Sequence, residues 1–274
     1  MLTLLAWVGA AAAHDFWITP SAYRCTVGED VDLTLLVGHA GNAERYGRRS
    51  DHLKRFWIVD PAGKSSNIPG VAPVPDGPTD AGTTAPAGRA TLRTPGVHII
   101  AYRSNHSAIE LDAKTFEGYL RDEGLTSIIA ERARRGESER PDRELYSRAS
   151  KTLVLAGDED HATPRTGFDR LIGLPVEITP HTDPFDLSPG DTLVVSVHHR
   201  GTPAIGVQID AEQWSSAEDR IHLRATTDDE GRAEFDVSRS GTWLITTTQM
   251  ERATAHADYD WESVWGSLTV EVRK

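Results

Sequence analysis

With 11 histidines and one cysteine in 274 residues, the chain favours nitrogen over sulfur as a metal donor. A single thiol cannot build an intrachain disulfide, a zinc ribbon or an iron–sulfur centre. The first residues, MLTLLAWVGAAAAHDFWITP, open on an apolar run that is too short to span a bilayer and that ends in alanines. Residues 1–13 have the form of a secretory signal peptide, with Ala11 and Ala13 in the A-x-A pattern, and cutting after Ala13 makes His14 the first residue of the mature protein. A terminal histidine offers one ion both an α-amine and an imidazole. These groups titrate near ~8 and ~6.5, so at neutral pH the pair is largely open to a metal.

Strand direction selects the next candidates. The chain leaves His14 along DFWITP and, if neighbouring strands are antiparallel, returns along 31–37, which delivers His39 to the end where His14 began. His39 has the parity of Leu33, Leu35 and Val37 and so leans inward. The same count through 54–59, 89–93 and 97–103 brings His106 to that end as a third ligand, whereas His98 falls at the other end of its strand. His198 and His199 are adjacent on a strand and face opposite sides. His256, beside Asp258 and Asp260, is a further loop candidate. A nitrogen-dominated site of this kind suits nickel, cobalt, copper or zinc. No nucleophile elbow, phosphate loop, HExxH or paired-cysteine motif is present, so the chain reads as a binding protein rather than an enzyme.

The elements that must position these residues are strands. Short alternating runs bounded by Gly, Pro, Asp or Asn recur along the chain. GEDVDLTLLVGHAG at 28–41 parallels GDTLVVSVHHRG at 190–201, and GRATLRTPGVHIIAYRS at 88–104 parallels GRAEFDVSRSGTWLITTTQ at 231–249. Two matched pairs in the same order predict two related immunoglobulin-like β-sandwich domains, 14–165 and 166–274. Between them, about 112–150, the composition turns to Arg and Glu. Asp112 can cap a helix in which Phe116, Tyr119 and Leu120 share a face, and Ile128 and Ile129 begin a second stripe, so this stretch is expected to be a helical insertion. The non-periodic DEDHATPRTG at 158–167 is the expected linker. Trp17, Trp57, Trp243, Trp261 and Trp265 fall on or beside strands, where they would fill the core; exposed, they would instead make a carbohydrate platform.

Charge narrows the partners. With 41 acidic against 29 basic residues and a net charge of −12, the chain repels a nucleic-acid backbone and tolerates cations. Past residue 13 nothing resembles a transmembrane segment.

AHDFWITP at the start, VGHAG after the second strand, YLRDEGL and RELYSRASKTLVLAG in the central segment, LIGLPVEITP at the junction, and GTWLITTTQM with DYDWESVWGSLTVEV at the end together resemble a known family over nearly the whole mature chain. It is a family of exported proteins of unknown function, grouped with the periplasmic component of ABC-type cobalt and nickel transport systems. The resemblance implies a periplasmic or secreted protein that binds a divalent transition-metal ion (nickel or cobalt, with copper also allowed) and delivers or buffers it for uptake, with a membrane transport permease as partner. His14 and His39 match the family's recurring histidines. The family often carries another histidine just before the methionine that follows WLI, where this chain has Gln249. The competing expectation is a noncatalytic module that recognises sugar or protein, as in adhesion; a small metalloenzyme is the third.

Overall fold

A computed structural model describes residues 14–70, 85–157 and 163–273. The signal segment 1–13 and residues 158–162 of the expected linker lie outside the described residues. The protein is mainly β, built as three layers. The first sheet holds β1 (Asp15–Pro20), β3 (Asp30–His39), β4 (Asn42–Arg45) and β7 (Gly88–Thr91), with β3 paired to all the others. The third sheet repeats it with β11 (Val176–Pro180), β12 (Asp191–His199), β13 (Thr202–Pro203) and β16 (Arg232–Val237), arranged around β12. Between them runs a ten-stranded sheet. One half contains β5 (Leu53–Val59), β6 (Ser65–Asn67), β8 (Gly96–Ser104) and β10 (Asp142–Ala156); the other contains β14 (Gln208–Trp214), β15 (Arg220–Thr226), β17 (Gly241–Arg252) and β18 (Trp261–Val272). The short β2 (Arg24–Cys25) and β9 (Ser107–Leu111) also pair with β10.

The strand order β6-β5-β8-β10 is mirrored by β15-β14-β17-β18, and the segments matched in sequence occupy matching places. The two sandwiches therefore share one sheet, joined where β10 and β18 pair in parallel from Glu144 opposite Trp261 to Thr152 opposite Thr269. Alternate residues of the central strands serve opposite layers. Phe56, Ile100, Tyr102, Val154 and Ala156 pack with Phe16, Ile18, Leu33 and Leu35 of the first sheet. Trp57, Ile99, Ala101, Leu153 and Leu155 pack with Val176, Ile178, Val195 and Val197 of the third. All five tryptophans expected in the core are buried.

The helical segment is shorter than its composition suggests. Helices α1 (Ala113–Asp122) and α2 (Thr126–Arg135) form as expected, with the Asp112 side chain accepting from the Thr115 N–H at 3.0 Å. Phe116, Tyr119, Leu120 and Ile128 pack on Trp261 and Trp265. The remainder of the expected insertion is not helical: residues 142–156 form β10, the longest strand and the centre of the shared sheet. Its polar residues are buried because partners from distant parts of the chain satisfy them. Lys151 meets Glu177 at 2.9 Å, and Glu144 accepts hydrogen bonds from Tyr119 and Ser263. Such a strand lacks the polar/apolar alternation that marks a half-exposed one. Among the described residues no helix is long and apolar enough to cross a membrane.

Candidate functional site

Strand β1 pairs antiparallel with β3 from Asp15 opposite Gly38 to Pro20 opposite Leu33. Extending that register by one residue sets His14 opposite His39, and their rings meet edge to face with centroids 5.0 Å apart. Three features hold this geometry. Phe16 and Ile18, on the face of His14, are buried in the core beneath the first sheet. On the free edge of β1, the Phe16 and Ile18 carbonyls accept hydrogen bonds from Ser267 Oγ at 2.6 Å and Thr269 Oγ1 at 2.7 Å of β18. His39 ends β3 at a two-residue turn into β4, and the tip glycine, Gly41 (φ +81°), lies so close to Ser216 and Ala217 that a Cβ there would fall within 2.8 Å of their backbone.

The surroundings of His14 favour its neutral form. Burial holds the His14 imidazole below its ordinary value, assisted by the neighbouring His39 and Arg148 and opposed by Glu44. The free base is the form a metal needs. Asp15 faces the other way, where burial and the carboxylates Glu123, Glu212 and Asp210 push it well above the usual carboxylate range, so it is no anionic ligand. Two imidazoles that bind one ion through nitrogens at ~2.0–2.1 Å place it about 3 Å from each ring centre, and rings 5.0 Å apart can share it. Among the described residues no set of three or more His, Cys, Asp or Glu side chains is placed to hold an ion. The His14–His39 pair would supply an ion with two side-chain donors, and any third would have to come from the main chain or the solvent.

His106 is not drawn into this pair. Its Nε2 lies 3.3 Å from Glu262 Oε1, and its ring stands 6.0 Å from that of His256. Glu262 shares the parity of Val264 and Leu268, which pack toward the third sheet, so the central sheet separates His106 from the face of His14. The cause is local: along β10 the pairing steps by one residue between β8 (Leu153 opposite Ile99) and β9 (Tyr146 opposite Ser107), and His106 sits at the step. An extra residue of this kind re-aims a side chain. Gln249 shares the parity of Trp243 and Ile245, also on the third-sheet side.

Sequence reasoning missed Arg148, Tyr46, Tyr146 and His52. The Arg148 guanidinium lies over the rings of Phe16, Tyr46 and Tyr146, and Tyr46 Oη is 2.6 Å from His52 Nδ1. No local pattern marked them, because three elements remote in sequence bring them together.

No curated protein matches the chain. Among solved structures it is similar to a DUF4785 family protein from Legionella pneumophila at 10% identity and a TM-score of 0.26, covering 83% of this chain and 50% of that one. The chain thus spans half the length of the Legionella protein. It is also similar to the D0-D1 domain of intimin (13% identity, TM-score 0.22, covering 95% of this chain and 98% of that one). A tetra-tandem repeat from the extending region of a large adhesion protein gives 11% identity and a TM-score of 0.24, covering 95% of this chain and 49% of that one. The domain of unknown function DUF4198 matches residues 11–251, most of the chain, and the protein belongs to that family.

Proposed function

We propose that this is an exported, noncatalytic protein that binds a divalent transition-metal ion, nickel or cobalt with copper also allowed, and delivers or buffers it for an uptake system. The observation that carries this reading is the cross-strand placement of His14 opposite His39 with ring centroids 5.0 Å apart. Release of residues 1–13 would give His14 a free α-amine and so a third nitrogen, which matches a donor set short of one ligand. The periplasm or the extracellular space is the compartment such a signal serves, and a membrane permease is the recipient the reading calls for.

The test is metal titration of a chain that begins at His14 against one that carries a single additional N-terminal residue. Nickel should bind the first at least about tenfold more tightly, and His39→Ala should weaken it further; equal affinity in the two chains would refute the reading. Because the α-amine titrates near ~8 while burial holds the His14 imidazole below its ordinary value, nickel affinity should rise between pH 7 and 9 in the chain that begins at His14. An affinity that does not change between pH 7 and 9 would contradict a role for the α-amine.

A further inference from the structure

Among the described residues, the two buried Lys and Arg side chains other than Arg148 have carboxylate partners. Lys151 has Glu177, and Arg132 has Asp142 at 2.6 Å together with Glu117. Arg148 is the exception. It is 8% exposed, its backbone N–H donates to Ser104 Oγ at 2.8 Å, and its guanidinium carbon lies 5.2, 5.3 and 5.6 Å from the ring centres of Phe16, Tyr46 and Tyr146. Among the described residues it has no ion pair and no side-chain hydrogen bond.

Aromatic faces offset part of this burial. The directional donors of a guanidinium are not satisfied by rings. The carboxylates of the neighbourhood are not available to it. Asp51 is held by Arg49 at 2.8 Å and by His52 at 3.6 Å, and Glu44 is on the exposed strand β4, where it acts on His14. An unpaired positive charge that already acts on His14 also repels the bare dication that imidazole would take.

We infer that Arg148 and the His14–His39 pair form an anion subsite for a small carboxylate, and that the metal ion is held together with it. A guanidinium fork matches the two oxygens of a carboxylate, which a point charge would not. One carboxylate would balance Arg148 and present its remaining lone pairs to the ion. The metal half of this inference rests on the proposed function; the anion half does not.

Acetate is the probe, with inorganic phosphate as the comparison anion. In the metal-free protein, acetate should shift the Arg148 guanidinium and His14 ring resonances saturably, and nickel should bind about tenfold more tightly with acetate present. Arg148→Met, which fills the cage without charge, should abolish both effects while leaving acetate-free nickel affinity equal or higher. Arg148→Lys keeps the charge without the fork and should weaken acetate by about tenfold, which serves if the Met variant does not fold. An absent acetate response in the wild type, undiminished acetate binding in either folded variant, or a preference for phosphate would overturn the carboxylate subsite. Arg148-dependent acetate binding in a protein that takes no nickel would preserve the subsite and refute the metal reading.

Discussion

Gly38 offers the sharpest test of how the fold positions His39. It sits opposite Asp15 at φ +139°, and a Cβ there would lie 2.7 Å from the Asn42 carbonyl oxygen and 2.9 Å from the Ala43 Cα. Both atoms are backbone, so the β3–β4 hairpin must part to admit a methyl group. For Gly38→Ala the positive φ costs about 1–3 kcal/mol, and loosening the adjacent ladder costs roughly one hydrogen bond, about 1 kcal/mol. The total, about 3 kcal/mol, should lower Tm by roughly 6–12 °C in a chain of this size. Gly190→Ala is the control: φ is +102° but nothing lies within 4 Å of the added carbon, so it incurs the backbone cost alone. Thermal and urea melts of both variants, with nickel titration of each, separate the effects. Gly38→Ala should be the less stable and should bind nickel more weakly, since His39 is the next residue. Equal melts would refute the contact argument, and unchanged nickel affinity in a destabilised Gly38→Ala would show that the hairpin does not set His39.

Burial, with the nearby Asp210, pushes Glu123 up to about 7 against the Thr248 hydroxyl it accepts from. A carboxyl raised in the folded state contributes stability that is complete below its unfolded value near 4.5 and is lost as pH rises through 7, by roughly 3 kcal/mol for a shift of this size. Glu123→Gln should therefore flatten the decline in urea stability from pH 5 to 8; an unaltered pH profile would show that Glu123 does not titrate as described. Lys151→Met should cost about 3 kcal/mol by stranding Glu177. Glu177 also accepts from the N–H groups of Ile172, Gly173 and Leu174 at 2.9, 3.0 and 3.1 Å, so adding Glu177→Leu should restore nothing, and recovery of wild-type stability in the double variant would discount that role.

What was legible in the sequence follows from where each burial partner lies. Strands β3 and β12 alternate because each presents one face to a core, and α1 announces itself through Asp112 and a single apolar stripe. His14 and His39 were readable because one antiparallel reversal and one parity count connect them. Strand β10 was not, because its buried Glu144, Ser150 and Lys151 are satisfied by residues of β18, β11 and α1 that no local window contains. That misreading hid Arg148, which a solvated helix face would have explained away. The His106 count failed at a one-residue step, the smallest irregularity able to turn a side chain to the other face.

The internal repeat gives a reason to attach the metal reading to one half of the protein. His199 ends β12 as His39 ends β3, but the residue opposite it is Val176 where the first half has His14. The following turn, between His199 and Thr202, holds Arg200 at φ +51°, the only non-glycine residue with positive φ among those described. A two-residue hairpin with both central residues at positive φ favours Asn or Gly, and an arginine there carries a cost of order 1 kcal/mol. Its guanidinium pairs with Glu251 and approaches Glu262 at 3.9 Å, the same carboxylate that meets His106. Ion pairs therefore close the second hairpin end, and its histidine faces an apolar neighbour. The first end has an Ala40–Gly41 tip, an exposed His39, and a second imidazole across the ladder. On the same framework, only that end leaves two nitrogen donors free to converge.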